Sequence, residues 1–226
     1  MEMLQIREKE VFETLRKLKG MEFVVIGGYA VNAYTLPRFS ADCGIVIMDK
    51  MESAKVETAL LGLGYHRKTS NAETDSVDFA RYEKNITGYF RVSFDILVKD
   101  ILDRQTNVRI PAGWVFKNSE IHSLKGKTIT EDLKVRIINL DALFVMKMIS
   151  CRPTDMRDLF MMAPMTKDRK WIKAEVESMC DFGERFNRLK SKISSKEFRN
   201  GLQGVYGFVD KIAYVRNVKA VVSLAD

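Results

Sequence analysis

Apolar and polar positions recur with two different periods along the chain, and the period changes near residue 140. Before that point, short apolar runs such as 23–26 and 42–48 alternate with helical patterns, which predicts an α+β domain with buried strands. From Leu140 onwards, apolar residues recur at helical spacing. We therefore predict an α/β domain over residues 1–139 and a helical C-terminal region over residues 140–226.

The same pattern predicts the individual elements. The main expected elements are a helix over 2–18, a strand over 23–26, a helix over 28–34, a strand over 42–48, a helix over 50–61 with Asp49 as its N-cap, a polar loop over 69–75, and strands over 77–82, 89–98 and 133–138. Between residues 108 and 130 we expect short strands, with a turn at Pro111-Ala112-Gly113. Helices are expected over 171–180, 182–193 and 196–208.

Composition limits the class of protein and the cellular compartment that we expect. The 226 residues are 46% hydrophobic and 30% charged, an ordinary globular balance. No apolar run approaches the ~20 residues that span a bilayer, and the charged N-terminus lacks the apolar core of a secretory signal. Cys43, Cys151 and Cys180 are widely spaced and form no CxxC pair, which argues against a disulfide framework or a zinc site. We expect a reduced, cytoplasmic protein with no membrane partner.

The net charge is +7 and the sequence pI is about 9.2. An excess of positive charge favours polyanionic partners such as RNA, DNA or nucleotides. A solvated lysine-rich surface explains the same charge, and composition does not choose between the two.

A glycine pair, Gly27-Gly28, follows the buried strand 23–26 and precedes a short helix. Glycines at this place let backbone N–H groups approach a phosphate, with the N-terminus of the helix behind them. The stretch matches neither the dinucleotide-binding pattern GxGxxG nor the P-loop. A tight turn with only a structural role remains the alternative.

Two aspartates lie on predicted strands, Asp42 at the start of one and Asp95 within another. Because a carboxylate within an apolar strand is costly unless it is paired, exposed or metal-bound, the two could hold Mg²⁺ against the phosphates of a nucleotide. Ordinary salt bridges are the alternative. Residue 44 shares the face of Asp42, and a carboxylate there would complete a cage of three, but the residue is Gly44.

A second cluster lies between residues 147 and 158. Lys147 ends one helix, Arg152 lies in a bend, and Asp155 and Asp158 share one face of the next helix. The basic residues could bind triphosphate oxygens. Helix capping and a salt bridge to Asp158 explain the same residues.

In this order and spacing, the residues resemble the nucleotidyltransferase superfamily with the polymerase-β-like fold, most closely its minimal and AbiEii-type branch. The family pattern has a glycine pair after a strand, Arg-x-Ser/Thr-x-Asp-x-Asp, a third aspartate on a later strand, and Lys, Arg and Arg-Asp on later helices. The matching residues are Gly27, Gly28, Arg38, Ser40, Asp42, Asp95, Lys147, Arg152, Arg157 and Asp158.

The resemblance implies a mixed β-sheet flanked by helices, followed by a C-terminal helical region. It implies transfer of a nucleotide from an NTP to an acceptor hydroxyl, with three carboxylates binding two Mg²⁺ ions. Asp42 and Asp95 would be the catalytic and metal-binding residues, and the glycine turn would hold the β- and γ-phosphates. The nucleotide-binding residues implied are Gly27, Gly28, Arg38, Ser40, Lys147, Arg152 and Asp158. The branch also implies an RNA (tRNA) or protein acceptor and an antitoxin-like partner protein.

Gly44 departs from the family pattern, which has its second aspartate there. Three explanations stand open: a nucleotide-binding relative with little or no activity, a substitute carboxylate such as Asp49 or Asp75, or a change particular to this isolate. A function of another class, a non-catalytic module that binds RNA or a partner protein through its basic surface, also fits the charge and Gly44.

Overall fold

The computed structural model describes residues 2–68, 78–88, 90–130, 132–207 and 210–225. Within them the chain forms two compact units. The sheet unit comprises the described parts of Met1–Ala33, Pro37–Ile101 and Arg109–Ile138, and the helical unit those of Tyr34–Leu36, Leu102–Val108 and Asn139–Asp226. Among the described residues, the helices are too short or too polar to cross a bilayer.

A mixed sheet of seven strands forms the centre of the sheet unit. The described residues form nine strands, seven in this sheet and two in a separate pair. In chain order they are β1 (Val24–Ile26), β2 (Asp42–Ile47), β3 (His66–Arg67), β4 (Phe79–Thr87), β5 (Phe90–Val98), β6 (Asp100–Leu102), β7 (Arg109–Pro111), β8 (Ser119–Leu124) and β9 (Leu133–Ile138). The order across the sheet is β3-β4-β5-β2-β1-β9-β8, while β6 and β7 form a separate pair. Strand β2 is parallel to β5, and β1 is parallel to β9. The predicted α+β class is confirmed.

Helices flank this sheet and make up most of the helical unit. They are α1 (Glu2–Lys17), α2 (Gly27–Tyr34), α3 (Lys50–Gly62), α4 (Ala112–Lys117), α5 (Leu140–Ser150), α6 (Pro153–Met162), α7 (Arg169–Met179), α8 (Phe182–Ile193), α9 (Lys196–Tyr206) and α10 (Lys211–Val222). Helix α3 begins where predicted, because the Asp49 Oδ1 atom accepts a hydrogen bond from the Glu52 N–H at 2.9 Å.

The two faces of the central strands differ sharply. On one face Cys43, Ile45, Phe94 and Ile96 are fully buried, and α1 and α3 pack on these strands. The period of two along each strand sends Asp42 and Asp95 to the opposite, partly exposed face. Cys43 is buried as its strand position predicts, and burial raises the pKa of its thiol.

The β4–β5 hairpin contains an irregularity that decides which residues meet. Thr87 pairs with Phe90, but Asn85 pairs with Arg91, so the register shifts by one residue between Asn85 and Thr87. In such a β-bulge two residues lie opposite one, so the residues of β4 that precede the bulge pair one position away from where a regular hairpin would place them. Arg81 therefore lies opposite Asp95.

One sequence-based expectation needs correction, and several others lie outside the described residues. The turn predicted at Pro111-Ala112-Gly113 is the start of helix α4, in which Ala112 and Val115 are buried three residues apart. Pro111 is the N-cap of this helix, a place where proline costs no helical hydrogen bond. The predicted loop 69–75, and the predicted terminal residues Val77, Tyr89 and Phe208, lie outside the described residues.

The helical unit has an aromatic core with one buried amide. Phe160 packs edge-on against Phe198, with ring centroids 5.3 Å apart, and also contacts Tyr214. The Asn217 side chain is buried and donates a hydrogen bond from Nδ2 to the Phe160 carbonyl at 3.1 Å. This bond joins α10 to α6 and satisfies a carbonyl at the C-terminal part of α6.

Candidate functional site

The glycine turn connects β1 to α2 and is closely packed on one side. Gly27 has φ +70°, a conformation that favours glycine. A Cβ atom on Gly28 would lie 2.3 Å from the Ser40 Oγ atom and 3.3 Å from the Arg38 Nη1 atom. The structure therefore brings together Gly27, Gly28, Arg38 and Ser40, four of the residues predicted to bind the nucleotide.

Asn32 fixes the segment that carries Arg38 and Ser40. Its buried side chain accepts a hydrogen bond from the Arg38 N–H at 3.0 Å and donates one to the Arg38 carbonyl at 2.8 Å. The Ser40 hydroxyl donates to the Asp42 carbonyl at 3.2 Å. These bonds hold the chain between α2 and β2 beside the glycine turn.

Strand register places the two predicted catalytic aspartates close together. Ile26, the residue before the turn, pairs with Gly44 of β2, so the turn leaves β1 at the end of the sheet where Asp42 begins β2. On the other side of β2, Asp42 pairs with Ser93 and Gly44 pairs with Asp95. The Ser93 hydroxyl donates a hydrogen bond to the Asp42 Oδ1 atom.

Arg81 bridges the two aspartates. Its Nε and Nη2 atoms donate to the two carboxylate oxygens of Asp95 at 2.7 and 2.8 Å, and Nη2 lies 3.6 Å from the Asp42 Oδ2 atom. The first two contacts form the bidentate geometry in which arginine binds carboxylates most strongly. We refer to Arg81, Asp42 and Asp95 as the arginine–aspartate cluster.

Burial and pairing act in opposite directions in this cluster. Burial raises the pKa of Asp95 above its ordinary value, while the hydrogen bonds and charge of Arg81 work to lower it. Hydrogen bonds to Asp95 raise the pKa of Arg81, so the guanidinium stays charged at every physiological pH. The cluster thus contains one permanent positive charge between two acidic groups.

The cluster does not fit the two-magnesium centre that the family resemblance implies. Among the described residues there is no group of three or more His, Cys, Asp and Glu side chains able to hold a metal ion. Both oxygens of Asp95 accept hydrogen bonds from Arg81, and one oxygen of Asp42 accepts one from Ser93. Asp49 caps α3 rather than supplying a third ligand, and Asp75 lies outside the described residues.

In the helical unit, Lys147 is buried between two carboxylates. Its Nζ atom lies 2.7 Å from the Asp155 Oδ1 atom and 2.8 Å from the Asp158 Oδ2 atom. Asp155 also accepts hydrogen bonds from the Ser150 hydroxyl and the Arg152 N–H, and the latter bond caps α6. This arrangement stabilises the junction of α5 and α6, which gives Lys147 and Asp158 a structural role.

Arg152 has a different environment, because half of its side chain is exposed. Its Nη2 atom donates to the Asp103 Oδ2 atom at 3.0 Å. Asp103 itself is held by the backbone N–H groups of Gln105 and Thr106, both at 3.0 Å. A partly exposed guanidinium on a fixed carboxylate keeps donors available for an anion, so a contact of Arg152 with phosphate stays a prediction.

Sequence reasoning missed three residues that shape the site: Asn32, Arg81 and Ser93. Arg81 carried a usable signal, since a charged residue inside a predicted strand needs a partner. Its partner depends on the register of the hairpin, and the bulge sets that register. Asn32 and Ser93 are common polar residues that only the assembled structure singles out.

Solved structures share this fold at low sequence identity. JHP933 from Helicobacter pylori is similar with a TM-score of 0.58 and 15% identity, covering 99% of this chain and 92% of that one. A candidate nucleotidyltransferase from H. pylori has a TM-score of 0.58 and 14% identity, covering 99% of this chain and 95% of that one. An antigenic nucleotidyltransferase-like protein from Paracoccidioides brasiliensis has a TM-score of 0.51 and 15% identity, covering 88% and 92%.

The chain shares its fold with these three structures. No family model and no curated protein matches the sequence. At this level of identity the similarity shows a shared fold.

Proposed function

We propose that the chain binds a nucleoside triphosphate at the glycine turn of the sheet unit, as a protein of the nucleotidyltransferase type. The observation that carries this proposal is the placement of Asp42 and Asp95 in one cluster at the end of the sheet where the Gly27-Gly28 turn lies. Backbone N–H groups at the start of α2 suit phosphate oxygens. Arg38 and Ser40, packed against Gly28, are the proposed side-chain contacts.

The proposed reaction is transfer of the nucleotide to an acceptor hydroxyl. The hydroxyl oxygen forms a bond to the α-phosphorus and its proton passes to water, the bond between the α-phosphorus and the bridging oxygen to the β-phosphate breaks, and pyrophosphate leaves. We propose that this chain performs the step slowly or not at all. Gly44 supplies no carboxylate, and the oxygens of Asp95 are already bound to Arg81. Any dependence on Mg²⁺ belongs to the same proposal.

The family branch, the acceptor, the partner, the location and the roles of single residues are also proposals. The order of the motifs supports the minimal and AbiEii-type branch, and that branch implies an RNA (tRNA) or protein acceptor and an antitoxin-like partner. The proposed cytoplasmic location rests on the spacing of the three cysteines and on the charged N-terminus. Within the site, Asp42 and Asp95 are the proposed catalytic residues. The proposal for Lys147 and Asp158 is weaker, because both are buried and paired with each other.

Binding of labelled NTPs tests the proposal directly. We expect the purified chain to bind at least one of the four NTPs, and Gly28→Val to abolish binding because its side chain would occupy the space of Ser40. Gly62→Ala is the matched control, since no atom lies near a Cβ at that helical position. Absence of NTP binding by the folded wild-type chain, with or without Mg²⁺, would contradict the proposal.

A second candidate function is a non-catalytic RNA-binding module, favoured by the net charge of +7. RNA binding that weakens steeply with salt, without affinity for NTPs, would support it. Incorporation of labelled nucleotide into RNA, protein or small acceptors would instead support the transferase.

A further inference from the structure

The carboxylate oxygens of the arginine–aspartate cluster are nearly all engaged. Three of the four accept hydrogen bonds, two from Arg81 and one from Ser93, and the fourth faces the Arg81 Nη2 atom at 3.6 Å. A divalent cation binds such oxygens in place of hydrogen-bond donors. To enter between Asp42 and Asp95, it would have to displace the guanidinium from both oxygens of Asp95.

The charge balance gives the same result. Two carboxylates close together repel each other and attract a cation, and here a guanidinium already lies between them. Arginine does not lose its proton in proteins, so this positive charge is always present. The side chains are one-fifth to two-fifths exposed, which leaves their attraction only partly screened by water.

The sheet holds Arg81 in this place. Its strand neighbours Ala80 and Tyr82 are buried, and its cross-strand partner is Asp95. The nearest alternative carboxylate on the strand, Glu83, is already bound by Lys68 at 3.1 Å and Arg91 at 3.0 Å. Among the described residues, Arg81 therefore pairs with Asp95 and Asp42.

We propose that Arg81 is a resident cation that takes the place of the divalent metal between Asp42 and Asp95. The site then keeps its two carboxylates together without a metal ion and has low affinity for one. It follows that a carboxylate restored at position 44 is not sufficient for metal binding, because the positive charge of Arg81 remains. A Cβ at that position would also come 3.2 Å from the Ile26 Cγ1 atom, which must shift.

The inference shares its site with the proposed function but does not need a nucleotide to be tested. Binding of Mn²⁺ alone is measured by the electron paramagnetic resonance signal of the free ion, without NTP. The variants are Arg81→Gln, which removes the charge, Arg81→Lys, which keeps it, and Arg81→Gln combined with Asp42→Asn. Arg91→Gln is the matched control, because it removes an arginine paired to a carboxylate in the same sheet.

We expect Arg81→Gln to bind Mn²⁺ on the order of ten- to a hundredfold more tightly than the wild type, and Arg81→Lys and Arg91→Gln to resemble the wild type. Adding Asp42→Asn to Arg81→Gln should return the Mn²⁺ affinity to the wild-type level. Circular dichroism checks that each variant is folded.

The wild type provides a test that does not depend on the folding of Arg81→Gln. If wild-type protein binds Mn²⁺ at a site that Asp42→Asn eliminates, and as tightly as Arg81→Gln does, the inference is wrong. If Arg81→Gln does not fold, wild-type binding that Asp42→Asn eliminates overturns the inference, and equal Mn²⁺ binding by wild type and Asp42→Asn supports it. A failure to bind NTP leaves these outcomes unchanged, so the two proposals fail separately.

Discussion

Gly28 and Ser40 lie so close that a Cβ atom on Gly28 would come 2.3 Å from the Ser40 Oγ atom and 3.0 Å from its Cβ. The contact joins the first turn of α2 to the segment that leads into β2. Packing alone thus requires glycine at position 28, whether or not a phosphate binds there.

Gly28→Ala should therefore destabilise the fold. We expect the free energy of unfolding in urea to fall by about 1–3 kcal/mol, the usual cost of extra atoms in a packed place. A second substitution, Ser40→Gly, should recover part of the loss because it removes the atoms that clash. Gly62→Ala, which meets no atom within 4 Å, should leave stability unchanged or higher.

Glu8 is a buried carboxylate that organises a loop. It accepts hydrogen bonds from the N–H groups of Lys127 and Thr128, both at 2.7 Å, and from the Thr128 hydroxyl at 2.6 Å. Glu8→Ala should lower the free energy of unfolding by about 2–3 kcal/mol, because three donors lose their partner. Glu13→Ala on the same helix, where half of the side chain is exposed, should change it little. An equal loss in both variants would contradict the role given to Glu8.

Substitution of Lys147 tests whether this residue stabilises the fold or binds the ligand. Lys147→Met leaves Asp155 and Asp158 without their cation, and removing one partner of a buried ion pair costs about 3–5 kcal/mol. We expect a loss of that size in thermal or urea unfolding. Lys190→Met, at an exposed position of α8, is the control. If Lys147→Met keeps wild-type stability and loses only NTP binding, Lys147 serves the ligand rather than the fold.

Glu83 should make the free energy of unfolding depend on pH in the acidic range. Burial raises its pKa, but Lys68 and Arg91 outweigh burial and hold the pKa below its ordinary value of about 4.3. A carboxylate with a lowered pKa in the folded state stabilises it above the unfolded-state pKa, and this contribution is lost as pH falls through the folded-state pKa.

Urea unfolding between about pH 6 and pH 3 measures this contribution. We expect Glu83→Gln to be less stable than the wild type by about 1 kcal/mol at pH 6 and to approach it at pH 3. Glu120→Gln removes an exposed carboxylate of the same sheet and should keep the wild-type pH profile. A constant difference between Glu83→Gln and wild type at all pH values would contradict the assignment.

The elements with the strongest local signals were predictable from sequence. The apolar runs that became β1 and β2 are buried on the core side, the weaker alternation over 133–138 became β9, and Asp49 is the N-cap that begins α3. Helix α4 was missed because Pro111 and Gly113 indicate a turn locally, whereas burial of Ala112 and Val115 favours a helix in the assembled unit.

The candidate site was predictable only in part, because some of its contacts depend on tertiary structure rather than on local sequence. The glycine turn and the two aspartates follow from motifs, but their electrostatic environment depends on strand pairing. Without the bulge, the Thr87 and Phe90 pairing would continue along the hairpin and place Tyr82, not Arg81, opposite Asp95. A one-residue irregularity of the backbone cannot be read from composition or period.

The bulge between Asn85 and Thr87 also has an evolutionary consequence. Substitutions that remove the bulge without changing the length of the hairpin would let the Thr87–Phe90 register continue and turn Arg81 towards the buried face, away from Asp95. The carboxylates would lose their guanidinium without any substitution among the residues that form the site. Loss of the bulge is thus a route by which this fold can exchange an arginine-neutralised site for one open to metal ions, even when the aspartates themselves are unchanged.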